Sequence, residues 1–215
     1  MTDSDIFDRI APGWYGFRHH SLFTRELEAL AARWRGGRLL NIGCAHGPDF
    51  PPFCQGFTLY GLDFSRGMLL QAQRYARKFD LEVNLSQGDA CALPYRAASF
   101  EWAIAVASYH HLTDRATQQI ALGELRRVLR PGGEAFITVW NRHQPRFWFR
   151  PARVQVAWKA GSDLLKRDYY LFRRAELERL VRQAGFKILS SSGESRRQAK
   201  WQLFSRNICL VVSKV

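Results

Sequence analysis

A chain of 215 residues can bury a sizeable core, and 47% hydrophobic content with 15 phenylalanines excludes a disordered protein. No apolar run approaches a membrane span, and the acidic start, MTDSDIFDRIAP, lacks the basic and apolar regions of a signal peptide. A cytoplasmic protein with no membrane partner is expected. Charge is unevenly spread: residues 1–125 hold 12 Lys+Arg and 13 Asp+Glu, whereas residues 126–215 hold 20 and 6. A basic, arginine-rich part beside a neutral part suits a polyanion, most simply nucleic acid, or else a solvated basic surface.

The first segment, residues 5–18, is aromatic and contains proline, with Trp14, Tyr15, Phe17 and Arg18 placed to fold over the mouth of a site. Arg18 is either a site residue or a surface arginine. Leu22, Phe23, Leu27, Leu30 and Ala31 then recur at helical spacing, predicting an amphipathic helix over 20–35. Leu39, Leu40 and Ile42 form the short apolar run of a buried parallel strand. Gly43 and Gly47 allow a tight turn and close approach of a ligand, and a helix interrupted by Pro48, Pro51 and Pro52 is expected behind it. That helix start is a poor seat for pyrophosphate, so the ligand is a nucleoside without phosphates. Asp63 ends the next apolar run, where a Rossmann-like unit places a carboxylate for ribose hydroxyls.

Residues 65–79 predict a helix capped by Ser65, with Met68, Leu69, Ala72 and Tyr75 on its apolar face. Residues 82–88 suit an outer strand. Gly88 and Asp89 open a loop in which Asp89 can accept from an adenine amine and Ala90 can offer its N–H, although Asp89 is also a common turn former. Phe100–Ser108 is a buried fourth strand, followed by His110 and His111 at its carboxyl end; neighbouring side chains diverge, so one is expected to line the pocket and the other to pack. Metal ligation lacks a matching carboxylate or thiol. The scattered Cys44, Cys54, Cys91 and Cys209 read as buried reduced thiols.

A helix over 114–130, broken by PGG at 131–133, leads to a fifth strand at Glu134–Asn141. Residues 142–168 read as the least regular part. Its arginines alternate with Phe147, Trp148, Phe149 and Trp158, suiting either single-stranded RNA or an aromatic lid. Arg173–Gly185 predicts a helix, and Phe186–Ser192 with Ile208–Val212 predict a closing antiparallel pair. Between them the basic stretch ESRRQAKWQLFSRN is expected to return to the top of the sheet.

RLLNIGCAHG with Asp63 resembles motif I of the class I S-adenosylmethionine-dependent methyltransferases. Nearly end to end, the chain resembles the tRNA wobble-uridine carboxymethyl methyltransferases, through IAPGWYGFR at 10–18, AVASYHHL at 105–112, RVLRPGGEAFITVWN at 127–141, YYLFRRAEL at 169–177 and Asn207. Asn41 and Ala45 depart from the usual acid and middle glycine of motif I, and Ala157 replaces a proline before Trp158.

The resemblance implies an α/β, Rossmann-like fold: a seven-stranded, mostly parallel sheet with helices on both faces and a C-terminal antiparallel hairpin. It implies one methyltransferase domain over 1–215, with an N-terminal lid segment and helix (1–37), a cofactor-binding core (38–141), an aromatic and basic substrate insertion (142–172) and a C-terminal helix and hairpin (173–215). S-adenosylmethionine is the implied cofactor, held by Asn41, Gly43, Cys44, Ala45, Gly47, Asp63, Phe64, Gly88, Asp89, Ala90 and Ala107. The implied substrate is the anticodon loop of tRNA, not DNA, methylated on the carboxylate of a modified uridine. Arg18, Arg206 and Asn207 are then expected to hold that anion, and His110 or His111 to shape the pocket. A small zinc-binding activator is expected on the strand edge at Val83 to Ser86 or the neighbouring helix. A small-molecule methyltransferase, for a quinone precursor or small acid, and a non-catalytic RNA-binding protein on the same fold are the alternatives.

Overall fold

The computed structural model describes residues 3–194 and 204–215. Most of the basic stretch expected above the sheet, 195–203, lies outside the described residues. Two helices, α1 (Asp3–Phe17) and α2 (Thr24–Trp34), precede β1 (Gly37–Ile42) and β2 (Phe57–Asp63). There follow α3 (Arg66–Lys78), β3 (Val83–Gln87), β4 (Phe100–Val106), α4 (Arg115–Val128) and β5 (Leu129–Trp140). The chain continues through β6 (Arg153–Ala160), β7 (Asp163–Tyr170), α5 (Arg174–Gln183), β8 (Phe186–Gly193) and β9 (Asn207–Lys214).

Seven strands pair in the order β3-β2-β1-β4-β5-β9-β8. The first five are parallel, and β9 inserts antiparallel between β5 and β8. Alternate side chains of each central strand face opposite layers. Leu40, Ala103 and Ile137 meet α4 and α5 through Leu122, Leu125 and Leu180. On the other face Leu39, Ile104 and Phe136 meet α2 through Leu27 and Leu30. The strand order reverses direction between β1 and its neighbours β2 and β4. A crevice at the carboxyl ends of these strands is where open α/β sheets take ligands.

Ser65 caps α3 as expected, accepting from Met68 N at 3.0 Å, and Asp114 does the same for α4. Four expectations change. Residues 5–18, read as an aromatic segment with no helix of its own, lie in or against α1, which carries Pro12 inside it. Proline costs a helix one hydrogen bond, and tertiary docking makes up for it. Ser65 Oγ and Gly67 N both donate to Asp8 Oδ1, at 2.5 and 2.7 Å. Gly67 is needed there, since a Cβ would stand 2.8 Å from Asp8 Cα.

Second, no α-helix joins β1 to β2; the prolines leave only a 3₁₀ turn at Pro51–Phe53. Third, the "irregular" insertion is mostly a regular hairpin, β6 paired with β7 around Gly161 (φ +61°) and Ser162. It leans on α1: Trp158 lies 5.2 Å from Trp14 between ring centroids, and Arg9 pairs with Asp163. Fourth, the chain enters β5 already at Leu129, and PGG bulges out of it: pairing jumps from Phe100–Leu129 to Trp102–Glu134, with Gly132 at φ +74°. Cys44 and Cys209 are buried as expected, whereas Cys54 is exposed and Cys91 half-buried. Among the described residues, no helix is long and apolar enough to cross a membrane.

Candidate active site

A cavity of about 340 Å³ opens at the carboxyl ends of β1, β2 and β4 and is covered by α1 and β7. On its sheet side the chain turns sharply after Ile42. Gly43 takes φ +71°, and a Cβ there would stand 2.5 Å from Ser108 Cβ, so backbone fills the space a side chain would need. Gly43 N and Cys44 N both donate to Leu62 O, at 2.7 and 3.0 Å. Ala45 holds a left-handed φ of +48°, a conformation that favours the glycine it replaces. Its N–H donates to Asp63 Oδ2 at 2.8 Å, while Ser65 N donates to Oδ1 at 2.9 Å. Burial pushes the Asp63 carboxyl up to about 6 despite those two donors.

Most of the expected cofactor residues line this cavity: Gly43, Cys44, Ala45, Asp63, Phe64, Gly88, Asp89, Ala90 and Ala107 do so. Asp89 also acts as a turn former, its Oδ1 accepting from Cys91 N at 2.8 Å. Ala107 turns at φ +53° with its N–H on Thr138 Oγ1 at 2.9 Å. Asn41 and Gly47 stand behind the wall, not on it. Asn41 is fully buried, with neither side-chain polar atom paired among the described residues. Gly47 (φ +86°) lets the Phe50 ring pass within 3.0 Å of where its Cβ would be. Pro48 and Asp49 reach the cavity instead.

The covering side carries the positive charge. Arg18 follows the end of α1, and its guanidinium carbon lies 5.4 Å from the Trp14 ring. His46 Nε2 bonds the Arg18 carbonyl, tying the β1 loop to the α1 terminus. Asp49 faces Arg18, yet burial outweighs that attraction and pushes its carboxyl up to about 6. Arg167, only 5% exposed, sits among the faces of Trp14, Trp158 and Tyr169 at 5.2, 5.4 and 5.3 Å. Its Nε and Nη1 have no hydrogen-bond partner among the described residues. Burial lowers both guanidinium pKa values, though arginine keeps its charge at any ordinary pH.

Both histidines line the cavity, against the expectation that one would turn away; a 3₁₀ turn at Tyr109–His111 brings the rings 4.7 Å apart. His110 Nδ1 accepts from Trp140 N at 3.3 Å, so its proton sits on Nε2. His111 Nδ1 faces Asp168 O at 3.3 Å and must donate, leaving Nε2 with the lone pair. Burial and then nearby charge hold both neutral, His111 falling to about 4. Arg206 and Asn207 do not reach the site. Arg206 is exposed, and Asn207 is drawn away by Glu194, to which its Nδ2 donates at 2.7 Å.

Sequence reasoning missed Asp49, Trp140, Arg167 and Tyr169, all on the cavity wall. A signal for Arg167 existed. Leu165, Arg167 and Tyr169 are in phase at every second position of β7, and all three are buried.

Residues 39–133 match the family model described as a methyltransferase domain. The putative methyltransferase ECU09_1500 of Encephalitozoon cuniculi (strain GB-M1) is 31% identical over 184 residues, 82% of each chain. The mouse tRNA (carboxymethyluridine(34)-5-O)-methyltransferase ALKBH8 is 32% identical over 139 residues, which are 65% of this chain and 20% of that protein. The chain thus spans about a fifth of that relative's length. Among solved structures, the CcbJ methyltransferase from Streptomyces caelestis has the same fold, with a TM-score of 0.83 over 100% of both chains at 16% identity.

The chain is a methyltransferase by family and by fold. It belongs to the class I enzymes that use S-adenosylmethionine. The site fits that cofactor. Asp63 presents a buried carboxylate to the cavity, backbone replaces side chain at Gly43, and Ser108 Oγ on the wall has no partner among the described residues.

Proposed function

We propose that this enzyme methylates a carboxylate carried by RNA, specifically the carboxymethyl group of a wobble uridine in a tRNA anticodon loop. One observation carries the reading. Two guanidiniums, Arg18 and Arg167, lie on the cover of the methyl-transfer cavity, and Arg167 has Nε–H and Nη1–H unbonded among the described residues. A buried cation with unused donors suits an anionic acceptor. The net charge of residues 126–215 and the name of the mouse relative support RNA as its carrier.

S-adenosylmethionine, when bound, supplies a methyl group activated on a sulfonium. Asp63 would accept the ribose hydroxyls, and Asp89 and Ala90 would meet the adenine. The turn at Gly43 to Ala45, whose own N–H groups are taken by Leu62 O and Asp63 Oδ2, would leave room for the amino-acid end. A carboxylic acid of ordinary pKa is ionised at neutral pH, so no general base is required. Burial lowers the pKa of His110 and His111, which weakens both as bases. Arg18 and Arg167 replace the water around the acceptor and fix its line of approach. The anion-holding role expected of Arg206 and Asn207 passes to Arg167, and the activator subunit forms no part of this reading.

The test uses the full chain, methyl-labelled S-adenosylmethionine and bulk tRNA, digested to nucleosides with and without mild alkali. Label on a uridine that alkali releases is the expected result, because methyl esters hydrolyse. Alkali-stable label would move the acceptor to a base or ribose. Label on small carboxylic acids but never on tRNA would make the enzyme a small-molecule methyltransferase and overturn the RNA part.

A further inference from the structure

We infer that the turn at residues 147–150 is a base-stacking platform that grips single-stranded RNA beside the acceptor cavity; this rests on RNA being the substrate. The turn is built, not loose. Phe147 N donates to Gln144 O at 2.9 Å and Arg150 N to Phe147 O at 3.0 Å, leaving Trp148 and Phe149 as its two central residues. Trp148 Nε1 donates to His143 O at 2.7 Å, which fixes the indole. Phe147 anchors the turn inward, its ring 5.8 Å from Trp140, a residue of the cavity wall.

That scaffold holds two aromatic side chains outward. Phe149 is 98% exposed and Trp148 56% exposed. An aromatic side chain normally gains a great deal by burial, so a hydrogen-bonded turn that forgoes it calls for a flat partner. The charge around it identifies the partner. Residues 142–153 contain four arginines (Arg142, Arg146, Arg150 and Arg153) and no acid. Aromatic faces interleaved with arginines match bases joined by phosphates. A hydrophobic protein partner would be expected to meet a broad apolar surface, and this segment exposes only two large rings. The platform lies one ring beyond Trp140, so a nucleotide stacked on Phe149 is near neighbour to one inserted in the cavity.

Binding of a fluorescein-labelled oligouridine to the full chain, followed by anisotropy, tests the inference. Phe149→Ala should weaken binding about tenfold, and Phe149→Trp should retain it, since stacking tolerates any aromatic face. Arg150→Ala should also lower the salt dependence of binding by one phosphate contact, a slope change of about 0.7 on a single strand. Cofactor affinity and melting temperature should stay at wild-type values in the Phe149 variants, showing that the loss is local. Wild-type binding with no change in Phe149→Ala would overturn the platform while leaving the RNA reading in place. Failure of the wild-type chain to bind either oligouridine or tRNA would overturn the RNA reading and the platform with it.

Discussion

The two sides of the cavity differ in both charge and construction. The sheet side is acidic and local: Asp63 closes the parallel strand β2, and Asp89 stands on the loop after the parallel strand β3. The covering side brings two arginines from afar, Arg18 beyond α1 and Arg167 on a hairpin strand about 150 residues later, beside Asp3 and Asp168 of the same elements. A methyl donor is cationic at sulfur, and a carboxylate acceptor is anionic. In the proposed reaction the anionic acceptor meets the arginines, while Asp63 and Asp89 hold the adenosine part of the donor. Substitutions on one side should leave the other side's ligand almost untouched, and that independence can be broken or sharpened by experiment.

The largest effect is expected on the covering side. Arg167→Met should lower turnover on a carboxylate acceptor about 100-fold or more, the scale of losing a donor to a reacting oxyanion. Calorimetric affinity for S-adenosylmethionine should stay within about twofold. Melting temperature should hold or rise, because an apolar chain replaces a buried cation with unused donors. Retained turnover would assign the anion to Arg18 alone.

Next in size, Asp63→Asn should weaken cofactor binding about 10- to 100-fold, as expected of bonds to a charged acceptor. Turnover at saturating cofactor should recover to near the wild-type value. A variant whose turnover stays low at saturation would show that the two sides are coupled.

The smallest effect is in pH. An acid whose pKa is raised to about 6 by folding loses its charge as the pH falls through that value. Cofactor affinity should therefore fall by up to about tenfold per unit below pH 6 and level off above it. The stability linkage has the opposite sense: the folded protein holds this proton more tightly than the unfolded chain. The group's contribution to stability thus declines as the pH rises from about 4 to 6. Asp49 is raised to a similar value. The affinity profile should survive Asp49→Asn and flatten in Asp63→Asn.

What could be read in the sequence was the local side. β1, its glycine turn, Asp63 and the Ser65 cap are contiguous, and their periodicity and turn chemistry carry the signal. Arg167 and the inward turn of Tyr169 were not legible, because the two-residue alternation of β7 is overlaid by the insertion's many arginines and aromatics. Once β7 is seen as a strand, the phase of Leu165 turns both residues inward. Asn207 was misplaced because a bond to Glu194, just past the paired strand β8, decides where its side chain points. α1 was hidden by Pro12, whose penalty is met by Asp8 on a helix start about sixty residues away.

The contact of Trp14 with Trp158, and of Arg9 with Asp163, bears on traffic through the enzyme. α1 and the β6–β7 hairpin are therefore one packed cover and not two separate flaps: displacing either costs a tryptophan contact and an ion pair. Anything that widens the mouth of the cavity has to part them or carry both together.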